Sequence, residues 1–571
     1  MAVKFFSCMS LGLQGKLIEI EVDILQGLSA FNIVGLGDAA VQEAKERIRS
    51  AIKNSGFTYP QTKKVINLAP ANFKKYGPHF DLGMCVGILA ASGQVPAPVA
   101  EMLRDSLIAG ELALDGSVRP VHSVLTMALF AKSGGWKRLV IPAANFEEAA
   151  LVKGIEILPV ENLSELIRCI PGQPVDFKNQ NGLNKPKNGA KSARAHTEVQ
   201  PFPESVKVAK SLHVHTEIQS FSKDVKTAES QPDPGTSIDF SDVIGHSEAK
   251  RALTIAAAGG HHILLTGPPG VGKTMLAKAV AGILPELLEE ELLEVMQIYS
   301  CAGIFKDTQL FARPFRQVHP TSTLLALTGG GTNLKPGEVT LAHRGVLFLD
   351  EIAEFPRAHL ESLRQPLEEK EIYLSRASGS IKYPAGFFLI AGMNPCQCGY
   401  YGDNKKPCLC KPYQVMQYRK KLSGPILDRI DIIIGVQRQK MEASPAAPLA
   451  PTMPAAVSAP ENIGQKSSAI KQKITAVRSL QKTRFKSSNI NLNAEMTPRL
   501  IKTHCTLNQT CKEILDAAAE KFNFSGRNYH QVLKVARTIA DLGGHDKIEE
   551  EDLSEALQYR NNFSGSGPSI N

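Results

Sequence analysis

The chain has 571 residues, more than a single hydrophobic core sustains, so two to four domains are expected. Apolar residues make up 43% of it, too many for a mostly disordered chain, and no apolar run reaches the ~20 residues that span a bilayer. The net charge of +9 is compatible with a polyanionic partner without establishing one, and ten cysteines in so long a chain do not make a secreted disulfide framework.

Taken in chain order, the N-terminus Met-Ala-Val-Lys-Phe-Phe-Ser-Cys is not followed by a long apolar core and a small-residue cleavage site. It reads as mature protein rather than a signal peptide, and places the chain in the cytoplasm with no membrane partner. Residues 1–170 form the first expected domain. Leu17 to Ile24 alternates like a strand, and Val65–Leu68 and Leu139–Ile141 are short apolar strands. Asp38 to Ser55 carries Ala40, Val41, Ala44, Ile48 and Ile52 at helical spacing, so the domain is α/β. Residues 171–236 are Gly-, Pro-, Asn-, Lys- and Ser-rich, and from Phe177 to Thr197 there are five basic residues and no acid. Such a segment buries too little apolar surface to offset its ordering entropy and reads as a linker. Inside it His196-Thr-Glu-Val-Gln returns as His215-Thr-Glu-Ile-Gln, an imperfect duplication too short for a solenoid. Residues 237–438 return to a compact α/β pattern. An Ala/Pro-rich insert covers 439–466. Residues 467–562 are helical, including Arg499–Cys505, Cys511–Phe522 and Asn528–Leu542, as a lid on the preceding domain.

The apolar strand Ile263–Thr266 runs into Gly267, Pro268, Pro269, Gly270, Val271, Gly272, Lys273 and Thr274, and then into a helix through Met275–Ala281. This is G-x-x-x-x-G-K-[ST] in its required strand–loop–helix setting. The glycines let backbone N–H groups curl around the phosphates of ATP, and the helix N-terminus adds a favourable dipole. Lys273 supplies a point charge to the β- and γ-phosphates and the Thr274 hydroxyl a ligand for Mg²⁺. A chance glycine-rich turn is the bland alternative; the downstream partner argues against it. That partner is Gly345-Val-Leu-Phe-Leu-Asp350-Glu351, a strand delivering two acids at its carboxyl end. Asp350 would hold Mg²⁺ and Glu351 would polarise the attacking water. A second strand, Phe387–Ala391, leads to Asn394, an amide able to orient that water. Arg429 lies at a helix-to-strand boundary, suited to completing a neighbouring subunit's site, and Arg527 opens a lid helix. Alone, each of these three reads more readily as a surface amide or an ion-paired arginine.

Cys396-Gln-Cys398 and Cys408-Leu-Cys410 flank a Gly- and Pro-containing loop, 396–410. Four thiolates suit a structural Zn²⁺; free thiols, two disulfides (disfavoured in the cytoplasm) or an iron–sulfur cluster are the alternatives. Asp403 and Lys405 within the loop are expected to be solvated.

The arrangement resembles the magnesium-chelatase-like AAA+ ATPases, most closely the ComM family. The likeness rests on Asp239-Phe-Ser-Asp-Val, Ala256-Ala-Ala-Gly-Gly-His, Arg313-Pro-Phe-Arg316, Gly329-Gly-Gly and Pro336-Gly-Glu. It continues through Leu341-Ala-His-Arg-Gly-Val-Leu-Phe-Leu-Asp-Glu, Met393-Asn-Pro-Cys-Gln-Cys-Gly and Leu533-Lys-Val-Ala-Arg537-Thr-Ile-Ala-Asp. The resemblance implies a parallel-sheet core with a helical lid, an ATP-driven homohexameric ring, and branch migration of single-stranded or branched DNA beside recombination proteins in natural transformation. It casts Asn394 as sensor 1, Arg429 as the trans-acting finger and Arg527 as sensor 2. The first domain is similar to the Lon-protease catalytic fold through Glu111-Leu-Ala-Leu-Asp-Gly-Ser-Val-Arg-Pro-Val and Val140-Ile-Pro. Where that family places its serine and lysine, this chain has His79 and Leu125, so peptide hydrolysis lacks a nucleophile and a base. The motor subunit of a metal chelatase is the alternative function.

Between Glu371 and Leu389 the sequence predicts a hairpin turning at Ser378-Gly379-Ser380. In the ring motors it resembles, a hairpin here projects toward the pore. Arg376 and Lys382 would then meet the DNA backbone, with Lys335 a weaker candidate. A solvated or ion-paired hairpin face is the competing reading.

Overall fold

The computed structural model describes residues 2–168, 238–305, 312–331, 334–376, 379–438, 466–488 and 490–561. The linker and its duplication, and almost all of the Ala/Pro-rich insert, lie outside the described residues. Within the first domain, a seven-stranded mixed sheet runs in the order Ala30–Val34, Lys63–Ala69, Gln14–Leu25, Val3–Leu11, Ser106–Ile108, Arg138–Pro142, Glu156–Val160. The alternation of Leu17–Ile24 belongs to the longer strand Gln14–Leu25, which buries Ile18, Ile20 and Val22 on one face. The predicted helix runs over Ala39–Asn54, and Asp38 caps it by accepting the Val41 N–H at 2.9 Å. Caps of this kind contribute about 1 kcal/mol. Val41, Ala44, Ile48 and Ile52 are fully buried, as the helical spacing marked them, while Ala40 is only half-buried at the edge of that face.

Five parallel strands form the second sheet, in the order Phe315–Val318, Val346–Leu349, Phe388–Met393, Ile263–Thr266, Ile432–Gly435. The strand before the phosphate loop is therefore interior, flanked on both sides. Thr266 lies opposite both Met393 and Gly435, so the loop, the acid pair and Asn394 emerge together at the carboxyl ends of adjacent strands. That crevice is where open α/β sheets bind ligands.

The lid comprises the helices Ser467–Arg484, Pro498–His504, Gln509–Lys521, Gly526–Gly543 and Glu550–Asn561. It shares one core with the sheet domain, in which Leu253, Val280, Ile474, Val477, Val532 and Ala536 are buried together. A polar pin crosses the same boundary. The His261 ring contacts Asp431 at 3.2 Å through Nδ1 and Thr538 at 2.8 Å through Nε2. Burial pushes the Asp431 carboxyl up, but His261 beside it outweighs that and holds it at about 2.

The first domain is docked on the second. Gln297, on the helix Glu289–Ala302, donates to the Leu13 carbonyl at 2.8 Å, and the Ser300 hydroxyl donates to buried Glu148 at 2.5 Å. Met296 of that helix joins the core around Leu125 and Met127. At Gly12, where φ is +62°, a Cβ would stand 2.5 Å from Ile381 Cγ2, so only glycine admits the hairpin this closely.

The hairpin itself pairs Glu371–Arg376 with Gly379–Pro384. The predicted turn was placed one to two residues late: Gly379 and Ser380 are already paired with Arg376 and Ser375. Among the described residues, no helix is long and apolar enough to cross a membrane.

Candidate active site

The phosphate loop is shaped by glycines at the positions that need them. A Cβ at Gly267 would meet the Val436 carbonyl oxygen at 2.2 Å, and Gly272, at φ +94°, turns the chain into the helix Lys273–Ile283. The Lys273 ammonium is folded back into the loop. It donates to the carbonyls of Gly267 (2.6 Å) and Pro268 (3.0 Å) and to Asn394 Oδ1 (3.0 Å). All three acceptors are neutral, and burial pulls Lys273 down to about 8 against the weaker opposing pull of Asp350 and Glu351. Polyphosphate would supply the missing counter-charge. Thr274 donates its hydroxyl to Asp350 Oδ2 at 2.9 Å, which brings the two expected Mg²⁺ ligands side by side. Glu351 is exposed beyond them, in left-handed backbone at φ +51°.

The cysteine loop abuts this site. All four sulfurs lie within 4.8 Å of one another, with Cys396, Cys398 and Cys408 separated by 3.3–3.6 Å. A tetrahedral Zn²⁺ with ~2.3 Å bonds needs sulfurs ~3.8 Å apart, whereas a disulfide needs ~2.05 Å. The donor set therefore fits the metal. Burial pushes the Cys398 thiol up, but the backbone N–H groups of Tyr400 and Leu409, with Cys396 and Cys410, outweigh it and bring Cys398 down to about 6. Gly399 presses on the phosphate loop, since a Cβ there would lie 2.8 Å from Pro269 Cδ. Arg438 spans the two, with Asp403 at 3.0 Å and the Pro269 carbonyl at 3.3 Å. The expectation of a solvated Asp403 is thus corrected: its side chain is 1% exposed because Arg438 reaches it, while Lys405 is exposed as expected.

Arg429 and Arg527 converge away from this loop. Arg429 contacts Glu368 Oε2 at 2.6 Å and Arg527 contacts Glu368 Oε1 at 2.7 Å. Arg429 also donates to the Pro425 carbonyl at 2.5 Å, and its Nε has no partner. Glu368 has no motif to announce it, standing in an acidic run between the acid pair and the hairpin.

Lys382 is half-exposed and pairs with Glu371 at 2.7 Å, which is the ion-paired arrangement weighed against backbone contact. The side chain of Arg376 lies outside the described residues, and Lys335 is exposed. His79 has an unpartnered Nε2 and is pulled down to about 4 by burial, and Leu125 is fully buried. The motif arginines between these elements are structural. Arg313 ties the Pro285 and Arg344 carbonyls at 2.6 and 2.7 Å, and Arg316 grips Glu338 at 2.5 and 2.8 Å.

Three segments match families described as magnesium chelatase, subunit ChlI (residues 239–444), subunit ChlI of Mg-chelatase (20–145), and magnesium chelatase, subunit ChlI C-terminal (464–560). Competence protein ComM of Haemophilus influenzae is 38% identical over 557 residues, 97% of this chain and 96% of that protein. The chain belongs to the ComM family of magnesium-chelatase-like AAA+ proteins. Other full-length relatives are an uncharacterized protein of Mycobacterium tuberculosis, 36% identical over 97% of this chain and 98% of its own, and the uncharacterized YifB of Escherichia coli, 37% identical over 96% and 95%. In this ComM-family chain the match takes in the first domain as well as the AAA+ core and the lid.

Proposed function

We propose that the chain hydrolyses ATP with Mg²⁺ as a cytoplasmic homohexameric ring and uses that work to move branched or single-stranded DNA, supporting recombination during natural transformation. The observation that carries the ATPase reading is the pair of contacts Lys273–Asn394 and Thr274–Asp350, which gather counter-charge, sensor and metal ligands at the ends of adjacent strands. Catalysis is then positioning and electrostatics. Lys273 neutralises the β- and γ-phosphates, Thr274 and Asp350 would hold Mg²⁺, and Glu351 orients water for in-line attack. Arg429, as the trans-acting finger, supplies charge to a neighbour's transferring phosphate, and we place Arg527, cast from the resemblance as sensor 2, beside it on that same phosphate. This reading is supported by their placement on Glu368, since none of their contacts among the described residues reaches their own phosphate loop. The DNA reading is supported by the competence protein that resembles this chain end to end.

Cys396, Cys398, Cys408 and Cys410 would hold one structural Zn²⁺. The first domain acts as a scaffold or nucleic-acid platform rather than a protease, since an unpartnered imidazole at 79 and a buried leucine at 125 offer no Ser–Lys chemistry. A chelatase-type motor is the competing function. Steady-state hydrolysis and sedimentation of the full chain, with and without single-stranded and branched DNA, separate the two. Stimulation by branched DNA with ATP-dependent ring formation is expected, and hydrolysis indifferent to every DNA would remove the DNA reading.

A further inference from the structure

One carboxylate holds both candidate trans arginines. Glu368 gives Oε2 to Arg429 at 2.6 Å and Oε1 to Arg527 at 2.7 Å, so neither guanidinium stands free in the isolated chain. The two arginines come from distant segments that are themselves fastened together. Gln531 of the lid donates to the Asp428 carbonyl at 2.8 Å, and Arg560 donates to the Ile430 carbonyl at 2.5 Å. The turn bearing Arg429 and the helix bearing Arg527 therefore form one unit with Glu368 as its counter-ion.

Glu368 also sits at the root of the hairpin. It belongs to the helix Arg364–Glu369, and a single residue, Lys370 in left-handed backbone at φ +58°, separates that helix from the strand Glu371–Arg376. The chain leaving the hairpin returns to the same point, where the Ala385 N–H donates to the Lys370 carbonyl at 2.7 Å. A displacement of Glu368 is thus delivered to both ends of the hairpin.

We propose that Glu368 is a positioning residue that holds Arg429 and Arg527 between turnovers and yields them to the γ-phosphate bound by the adjacent subunit, its release shifting the hairpin. The inference rests on the trans reading of the two arginines. Its chemistry is competition between anions. A terminal phosphate offers more charge and three acceptor oxygens where the carboxylate offers one charge and two. The side chains of Arg527 and Glu368 are each 43% exposed, at a surface a neighbour can reach, while Arg429, 11% exposed, is held behind them and becomes available when Glu368 lets it go.

The test uses the full chain and three variants. Glu368→Gln keeps the shape and removes the charge, and Glu368→Asp is too short to bridge both arginines. Arg429→Ala serves as the control on the underlying reading. Glu368→Gln is expected to raise the kcat for ATP about three- to ten-fold, the scale of losing two partly exposed ion pairs, with KM unchanged. Glu368→Asp is expected to fall between it and wild type. Hydrogen exchange across 371–384 should respond to ATP in wild type. In Glu368→Gln it should resemble the ATP-bound pattern already without nucleotide. A purely structural Glu368 would instead lower kcat and leave the hairpin responsive to ATP. With Arg429→Ala inactive, a kcat in Glu368→Gln at or below wild type, or a hairpin still responsive to ATP, overturns the proposal. Wild-type hydrolysis by Arg429→Ala overturns the trans reading itself, and the proposal with it.

Discussion

Raising the pH should weaken nucleotide binding through Lys273 alone. The ammonium is buried among neutral acceptors and is pulled down to about 8, whereas bound polyphosphate supplies the counter-charge that keeps it protonated. Binding therefore takes up a proton. Affinity is complete below about pH 8 and is lost as pH rises through that value, because the empty site must first be recharged. The apparent dissociation constant scales as 1 + 10^(pH − 8), a factor of about 1.3 at pH 7.5 and about 11 at pH 9. The expected loss is about eight-fold, or ~1.2 kcal/mol, over a range in which ATP is already fully deprotonated. A fluorescent non-hydrolysable analogue titrated with Mg²⁺ at five pH values measures it. Calorimetry in buffers of different ionisation enthalpy should count about half a proton taken up at pH 8. Lys273→Arg, charged throughout, should bind more weakly but with no slope. A wild-type change under two-fold between pH 7.5 and 9, or an equal slope in Lys273→Arg, would refute the reasoning.

Glu351→Gln should bind ATP normally and hydrolyse it at least ~100-fold more slowly, the scale of losing an oriented general base. Mixing it with Arg429→Ala should restore part of the activity by forming one intact composite interface, visible as a maximum in a ratio series; a flat series would argue against shared sites. Freshly purified, reduced protein should carry about one Zn²⁺ per chain. Because Gly399 rests on Pro269, chelation should weaken nucleotide binding several-fold while leaving the thermal midpoint of the first domain in place; metal analysis finding none would end the zinc assignment. Replacing Arg376 and Lys382 together by alanine should weaken DNA binding and reduce the slope of log affinity against log salt by about two, at intact basal hydrolysis; unchanged affinity at several salt concentrations would remove the hairpin from the DNA contact.

What could be read in the residues was local. The phosphate loop, the acid pair and the strand before Asn394 announce themselves because their function depends on contiguous backbone: a glycine for each tight approach and an apolar strand for each delivery point. Helix ends were legible where a cap marks them, as Asp38 and Ser525 do by accepting the N–H groups of Val41 and Asn528. Partners distant in sequence were not legible. Asp403, among Gly, Asn and Lys, carries every sign of a solvated turn until Arg438 arrives from the end of the adjoining strand. Lys382 reads as a free cation because its partner Glu371 reaches it diagonally across the hairpin, from the position opposite Pro384, rather than following it in the chain. Glu368 is one acid in a charged run, and its two arginines come from separate elements folded onto it. The hairpin's existence followed from its composition, but Gly and Ser also fit a paired strand end, so its tip was misplaced.

The docking of the first domain bears on how this protein can be dissected. Leu11 and Leu13 pack into the core beneath the hairpin, and Leu292, Met296 and Phe305 pack into the core of the first domain. The boundary between the two is therefore a seam through shared apolar interior, which a cut anywhere in 171–236 would leave open. A motor excised at that segment would carry an open apolar wound beside its hairpin, with Ser300 stripped of Glu148 and Gln297 of Leu13. Stickiness, altered assembly or altered DNA affinity in such a fragment would report the wound rather than the missing domain's task. Point substitutions at the seam, with Gly12→Ala as the mildest wedge, separate those two effects where truncation confounds them.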